Sequence, residues 1–153
     1  MERNNMISKI EEKDLTQFQE ILKSVFNNNI SYEKMQNLYK MSKDNNDIHV
    51  LGYYINDNLV GTVTLNILTL PSGKEATIWD LAIKEEYSRL GIATKLMTRA
   101  EEIAKKLKGI MLKVQVRAGE NGKIFGGVTA KEIADNLKSQ YQIEIDKKKI
   151  DIK

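Results

Sequence analysis

Apolar residues recur along this chain with two periods, and the switches between them divide it into elements. Met6–Ile10 reads as a short first strand. Leu15, Phe18, Ile21, Leu22, Val25 and Phe26 then fall at three- and four-residue steps, the spacing of one helical face. Asp14 and Gln17 stand where a capping box would open that helix. Ser31 is placed to cap a second helix bearing Met35, Leu38 and Tyr39. From His49 the period becomes two. His49–Ile55 and Leu59–Leu70 predict strands, joined by a hairpin turn at Asn56, Asp57 and Asn58. Pro71, Ser72 and Gly73 make the next turn, and Ala76–Ile83 predicts the third strand of a meander.

After that strand comes a short turn around Arg89, Leu90 and Gly91, and an amphipathic helix starts at once. Ile92, Leu96, Ala100, Ile103, Ala104 and Leu107 line one face of it. The first N–H groups of a helix have no intrahelical acceptor, and the macrodipole adds partial positive charge there. Such a turn binds phosphate or pyrophosphate; it is also what an ordinary strand-to-helix connection looks like. A strand at 110–116 follows, then a glycine-bearing loop, a helix at 130–141 with Thr129 and Glu132 as capping box, and an extended segment at 142–153. Ile133, Leu137 and Tyr141 form the apolar stripe of that helix. The order predicts an α/β (α+β) fold: a mixed, mostly antiparallel twisted sheet flanked by helices.

The stretch from Asp80 to Met97, "DLAIKEEYSRLGIATKLM", resembles motif A of the GNAT superfamily of acyl-CoA-dependent N-acetyltransferases. Ser88, Gly91 and Ala93 fall on the defined positions of Gln/Arg-x-x-Gly-x-Gly/Ala; Ser88 departs from the usual residue, with Arg89 one place later, and Glu85 stands where many members have proline. The resemblance covers about residues 5–116. It implies acetyl transfer from acetyl-CoA, as cosubstrate, to an amine acceptor, with no metal. The loop Arg89, Leu90, Gly91, Ile92, Ala93 and Thr94 would then cradle the CoA pyrophosphate, and the backbone of Leu81, Ala82 and Ile83 would face pantetheine. Asp80, a carboxylate beside Trp79 in an otherwise apolar strand, is the candidate base; burial there would raise its pKa. A strand-edge aspartate bonded to backbone has the same appearance in sequence. The family often takes its acid from a tyrosine after the fifth strand, and this chain has none between Tyr87 and Tyr141.

From Lys113 the chain is similar to the start of the C-terminal domain of bacterial large-subunit ribosomal protein nine. The residues that carry this are Ala118–Lys123, Phe125-Gly126, Val128-Thr129, the helix from Lys131, and Asp146–Ile150. The chain therefore reads as two joined pieces: 1–112, GNAT-like and acyl-CoA-binding, and 113–153, ribosomal-protein-like, packed into the same domain and supplying its C-terminal strand–helix–strand portion. Two further functions stay open beside acetyl transfer: a ribosome- or rRNA-associated module, and a non-catalytic chimera that keeps the fold.

Charge follows the same boundary. Residues 1–112 hold 15 Lys/Arg and 15 Asp/Glu, whereas 113–153 hold 9 and 6, so the net +3 sits in the second piece. That allows weak rRNA contact through lysine and arginine, although a solvated helix face with a lysine-bearing hairpin accounts for it equally well. A homodimer is a further partnership the reading leaves open. The 153 residues and 41% hydrophobic content suit one domain with a core. Absence of cysteine excludes disulfides, thiolate metal sites and a cysteine nucleophile, and the lone His49 builds no histidine metal cluster. Gly119, Gly122, Gly126 and Gly127 lack the helix that nucleotide-loop spacing needs. No apolar run has transmembrane length and no signal-peptide core is seen, which points to the cytoplasm and away from membranes.

Overall fold

The computed structural model describes residues 2–106, 110–116 and 151–152. The helix expected at 130–141, its cap and the glycine loop before it lie outside the described residues. Six strands form a sheet in chain order: β1 (Met6–Lys9), β2 (Ile48–Ile55), β3 (Asn58–Leu70), β4 (Gly73–Ile83), β5 (Ile110–Val116) and β6 (Asp151–Ile152). The first four pair antiparallel, and β5 then runs parallel to β4. A parallel neighbour needs a crossover, and helix α3 (Ile92–Lys105) provides it. The expected mixed, mostly antiparallel sheet with flanking helices is the observed one.

The β2–β3 hairpin closes on Asn56 and Asp57, both at positive φ (50° and 63°), the backbone of a tight two-residue turn matched to strand twist. Helices α1 (Leu15–Phe26) and α2 (Tyr32–Ser42) cover one face of the sheet through Leu15, Phe18, Ile21 and Met35. Helix α3 covers the other face, packing Ile92, Leu96, Ala100 and Ala104 onto Val63, Leu65, Ile78, Leu81 and Ile83. Gly61 permits the close approach: a Cβ there would lie 3.2 Å from Ile92 and 3.3 Å from Leu96. The alternation of apolar residues in β3 and β4 thus fixes where the first turn of α3 sits.

Ser31 caps α2 as expected, its Oγ accepting the Lys34 N–H at 3.2 Å. The capping box expected at Asp14 and Gln17 does not form. The Asp14 carboxylate is 1% exposed and accepts from the Arg3 guanidinium at 2.7 and 2.8 Å, from the Tyr54 hydroxyl at 2.7 Å and from the Glu11 N–H at 2.9 Å. Gln17 turns to the sheet, its Oε1 accepting the Leu59 N–H at 2.9 Å. A charged, bidentate partner outweighs a neutral cap bond, so distant contacts take the aspartate from its helix. Arg3 also bonds Asp57 at 2.6 Å and stacks 3.8 Å over the Tyr54 ring, tying the first residues to the hairpin.

Candidate active site

Strand β4 is irregular at Asp80. Its register with β3 shifts between Thr62 and Thr64, so that one extra residue stands on β4 between Trp79 and Ala82. Asp80 takes φ +51° and Arg89 φ +64°, left-handed values uncommon outside glycine. Two consecutive residues, Trp79 and Asp80, therefore separate the buried Ile78 and Leu81, which both face α3. The bulge turns Asp80, half-buried, to line a cavity of about 270 Å³ on the α1–α2 side with Phe18, Met35, Val50 and Thr64.

Past the bulge, no second neighbour of β4 occurs among the described residues. Its pairing with β5 ends at Ile78 and Val114 among the described residues, while Gln115 and Val116 pair with β6. The Lys84 N–H donates to the Val60 carbonyl at 2.9 Å, so Lys84 and Ala82 direct their main-chain groups to β3. Strand alternation then directs those of Leu81 and Ile83 to the opposite edge, the one β5 has left. Their side chains meanwhile fill the core, so these residues serve packing and an open polar edge together.

A 3-10 turn at Glu85–Tyr87 leads to the start of α3, where Gly91 is the N-cap at φ +79°. The first helical bond is Lys95 N–H to Gly91 O at 3.1 Å, which leaves the N–H groups of Ile92, Ala93 and Thr94 ahead of the ladder. A Cβ built on Gly91 would meet nothing within 4 Å, so the space over this turn is open. Arg89 and Leu90 are exposed on its rim, Ile92 and Ala93 are buried, and Thr94 is half-buried. Open space, unladdered N–H groups, a helix dipole and one guanidinium are all features suited to an anion.

One short connection joins the end of β4 at Ile83 to the Gly91 turn, and Asp80 lies three residues before that strand end. Pattern reading did not foresee the bulge, nor the residues of α1 and α2 that wall the cavity. It also missed Glu101. That carboxyl is fully buried in α3, without a hydrogen-bond partner among the described residues, and burial pushes it up to about 8, Lys105 opposing and Glu102 adding. Its place one turn after Met97 on the buried face was the available signal. Among the described residues no cluster of metal-ligating side chains occurs, and no helix is long and apolar enough to cross a membrane.

Several known proteins share this fold. An aminoglycoside acetyltransferase from an uncultured soil metagenomic sample, solved with sisomicin, is 27% identical with a TM-score of 0.60, covering 72% of this chain and 76% of that one. Glucosamine-6-phosphate N-acetyltransferase from Arabidopsis thaliana shares the fold at 16% identity and a TM-score of 0.61, over 70% and 80% of the two chains. At the other end, large ribosomal subunit protein bL9 of Acetivibrio thermocellus is 50% identical over 56 residues, 37% of this chain. The match spans 38% of that ribosomal protein's length. The profile of the ribosomal protein L9 C-terminal domain matches residues 98–153. That of the acetyltransferase (GNAT) family matches residues 15–123, most of the chain, and with the fold and the β4–α3 turn in agreement the chain belongs to that acyl-transferring family.

Proposed function

We propose that this protein transfers an acetyl group from acetyl-CoA to an amine. The observation that carries the reading is the junction of the open β4 edge with the Gly91 turn. The N–H groups of Ile92, Ala93 and Thr94, with the Thr94 hydroxyl and Arg89, would hold the pyrophosphate. Leu81 and Ile83, with Ala82 between them, would align pantetheine along the strand, which carries the thioester toward Asp80. Asp80 accepts the proton of the acceptor ammonium; the freed nitrogen attacks the carbonyl carbon, the C–S bond breaks, CoA departs as its thiolate, and that thiolate takes the surplus proton of the new amide nitrogen. A thiol of ordinary pKa near 8.5 leaves without a dedicated acid, so the missing tyrosine does not block the step. Fixed N–H donors near the developing oxyanion supply most of the rate in such sites.

Residues 113–153 form, in this proposal, part of the same domain rather than a separate module. A second reading, contact with rRNA through that basic segment, draws on the 50% identity to bL9. That likeness also accords with a cytoplasmic location. Calorimetry with acetyl-CoA and with rRNA fragments separates the two readings. Saturable acetyl-CoA binding that Gly91→Val weakens at least tenfold supports the acetyl-transfer site; unchanged binding in that variant removes it. Tight, steeply salt-dependent RNA binding without acetyl-CoA binding transfers the function to the tail.

A further inference from the structure

The cavity beside Asp80 has a chemistry of its own. Ile10, Phe18, Leu22, Met35 and Val50 wall it, and its about 270 Å³ exceed the 150 Å³ or so that hold benzene. Asp80 is the one carboxylate among its described lining residues, and Lys9 and Lys43 are the cations. Leu38 and Met41 carry the apolar wall outward to the lip, where they are 47% and 71% exposed.

From this lining we infer that the acceptor is a primary monoamine on an apolar body of about one aromatic ring, not a polycation. The inference rests on the acetyl-transfer reading of the same site and specifies its substrate class. One ammonium pairs with Asp80, and the apolar body replaces water along the wall. A second ammonium on the same acceptor would meet either hydrocarbon, where an unpaired charge is strongly disfavoured, or the like charges of Lys9 and Lys43. The metagenomic aminoglycoside acetyltransferase was solved with sisomicin, a molecule of several amines. The two proteins share a fold but differ, on this view, in what they accept.

Initial rates with acetyl-CoA decide it, with 2-phenylethylamine, spermidine and sisomicin as acceptors. We expect kcat/KM for 2-phenylethylamine to exceed both others at least tenfold. Met41→Glu, at the exposed lip, should narrow that ratio about tenfold by offering a second ammonium a partner, with acetyl-CoA affinity unchanged. Equal or faster turnover of either polyamine overturns the inference. Trp79 is the sole tryptophan, adjoins Asp80 and pairs with Thr64 of the cavity, so its fluorescence reads occupancy without turnover. Should no acceptor be acetylated, the transfer reading fails, and preferential quenching by 2-phenylethylamine over spermidine still upholds the cavity's selectivity. Absence of that preference overturns the selectivity too.

Discussion

Asp14 and Glu101 are almost wholly out of solvent, at 1% and 0% exposure, yet they answer to pH in opposite ways. Burial alone would raise Asp14, but hydrogen bonds from Arg3, the Glu11 N–H and Tyr54 outweigh it and hold its carboxyl below the usual range. Its contribution is present above the unfolded value of about 3.9 and is lost as pH falls through the folded one. Glu101 is raised, so its contribution is complete below an unfolded value of about 4.3 and is lost as pH rises toward about 8. Thermal melts between pH 4 and 9 should therefore show a decline that Glu101→Gln flattens; an identical slope in that variant would remove Glu101 as its source. Arg3→Met should cost about 3–5 kcal/mol in urea unfolding, since it strands a buried charge. At the bulge, Asp80→Asn should lower kcat by about 10²–10⁴ and leave acetyl-CoA affinity intact, because the carboxylate acts on the amine. A pH–rate profile unaltered by that change takes Asp80 out of the mechanism.

The turn before α3 is the element on which cofactor binding depends. No described atom beyond the chain neighbours lies within 4 Å of a new Cβ at Gly91, so the first added carbon of Gly91→Val meets open space. Its cost to folding is the left-handed φ, on the order of 1–2 kcal/mol. The loss of acetyl-CoA affinity should be larger, and comparison of the melting shift with the calorimetric shift separates the two. The position of this turn, the meander and the Ser31 cap were legible in the sequence because each rests on contacts between near neighbours or on a simple period. Three features were not. Asp14 is claimed by Arg3 and Tyr54, 11 and 40 residues away, where a local rule sees only Gln17. Asp80 stood out as a carboxylate among apolar residues, but its bulge did not, since a single inserted position shows only once the partner register is known. The cavity wall is spread over α1, α2 and β2, and its inner residues read equally well as core.

Across the molecule, the GNAT match at 15–123 and the ribosomal match at 98–153 overlap on the end of α3 and all of β5. One helix–strand unit satisfies both patterns, and β5 gives Lys74–Ile78 of β4 their second neighbour. Removal of residues 113–153 should thus abolish a cooperative melt, since it takes Lys113 and Val114 from the β4 pairing and the whole of the β6 pairing; a 1–112 fragment melting like the whole chain would show two independent units. The bulge bears on the molecule differently. Trp79 and Asp80 stand side by side between Ile78 and Leu81, so excision of Asp80, as opposed to its replacement, restores strict alternation with β3 and leaves every inward residue of β4 inward. The shortened chain should fold, melt no lower than the parent, and be inert. Position 80 would then be an insertion tolerated by the scaffold for the sake of catalysis, and a deletion library scored separately for solubility and acetylation would isolate it as the one β4 residue whose absence is silent in the first screen and lethal in the second.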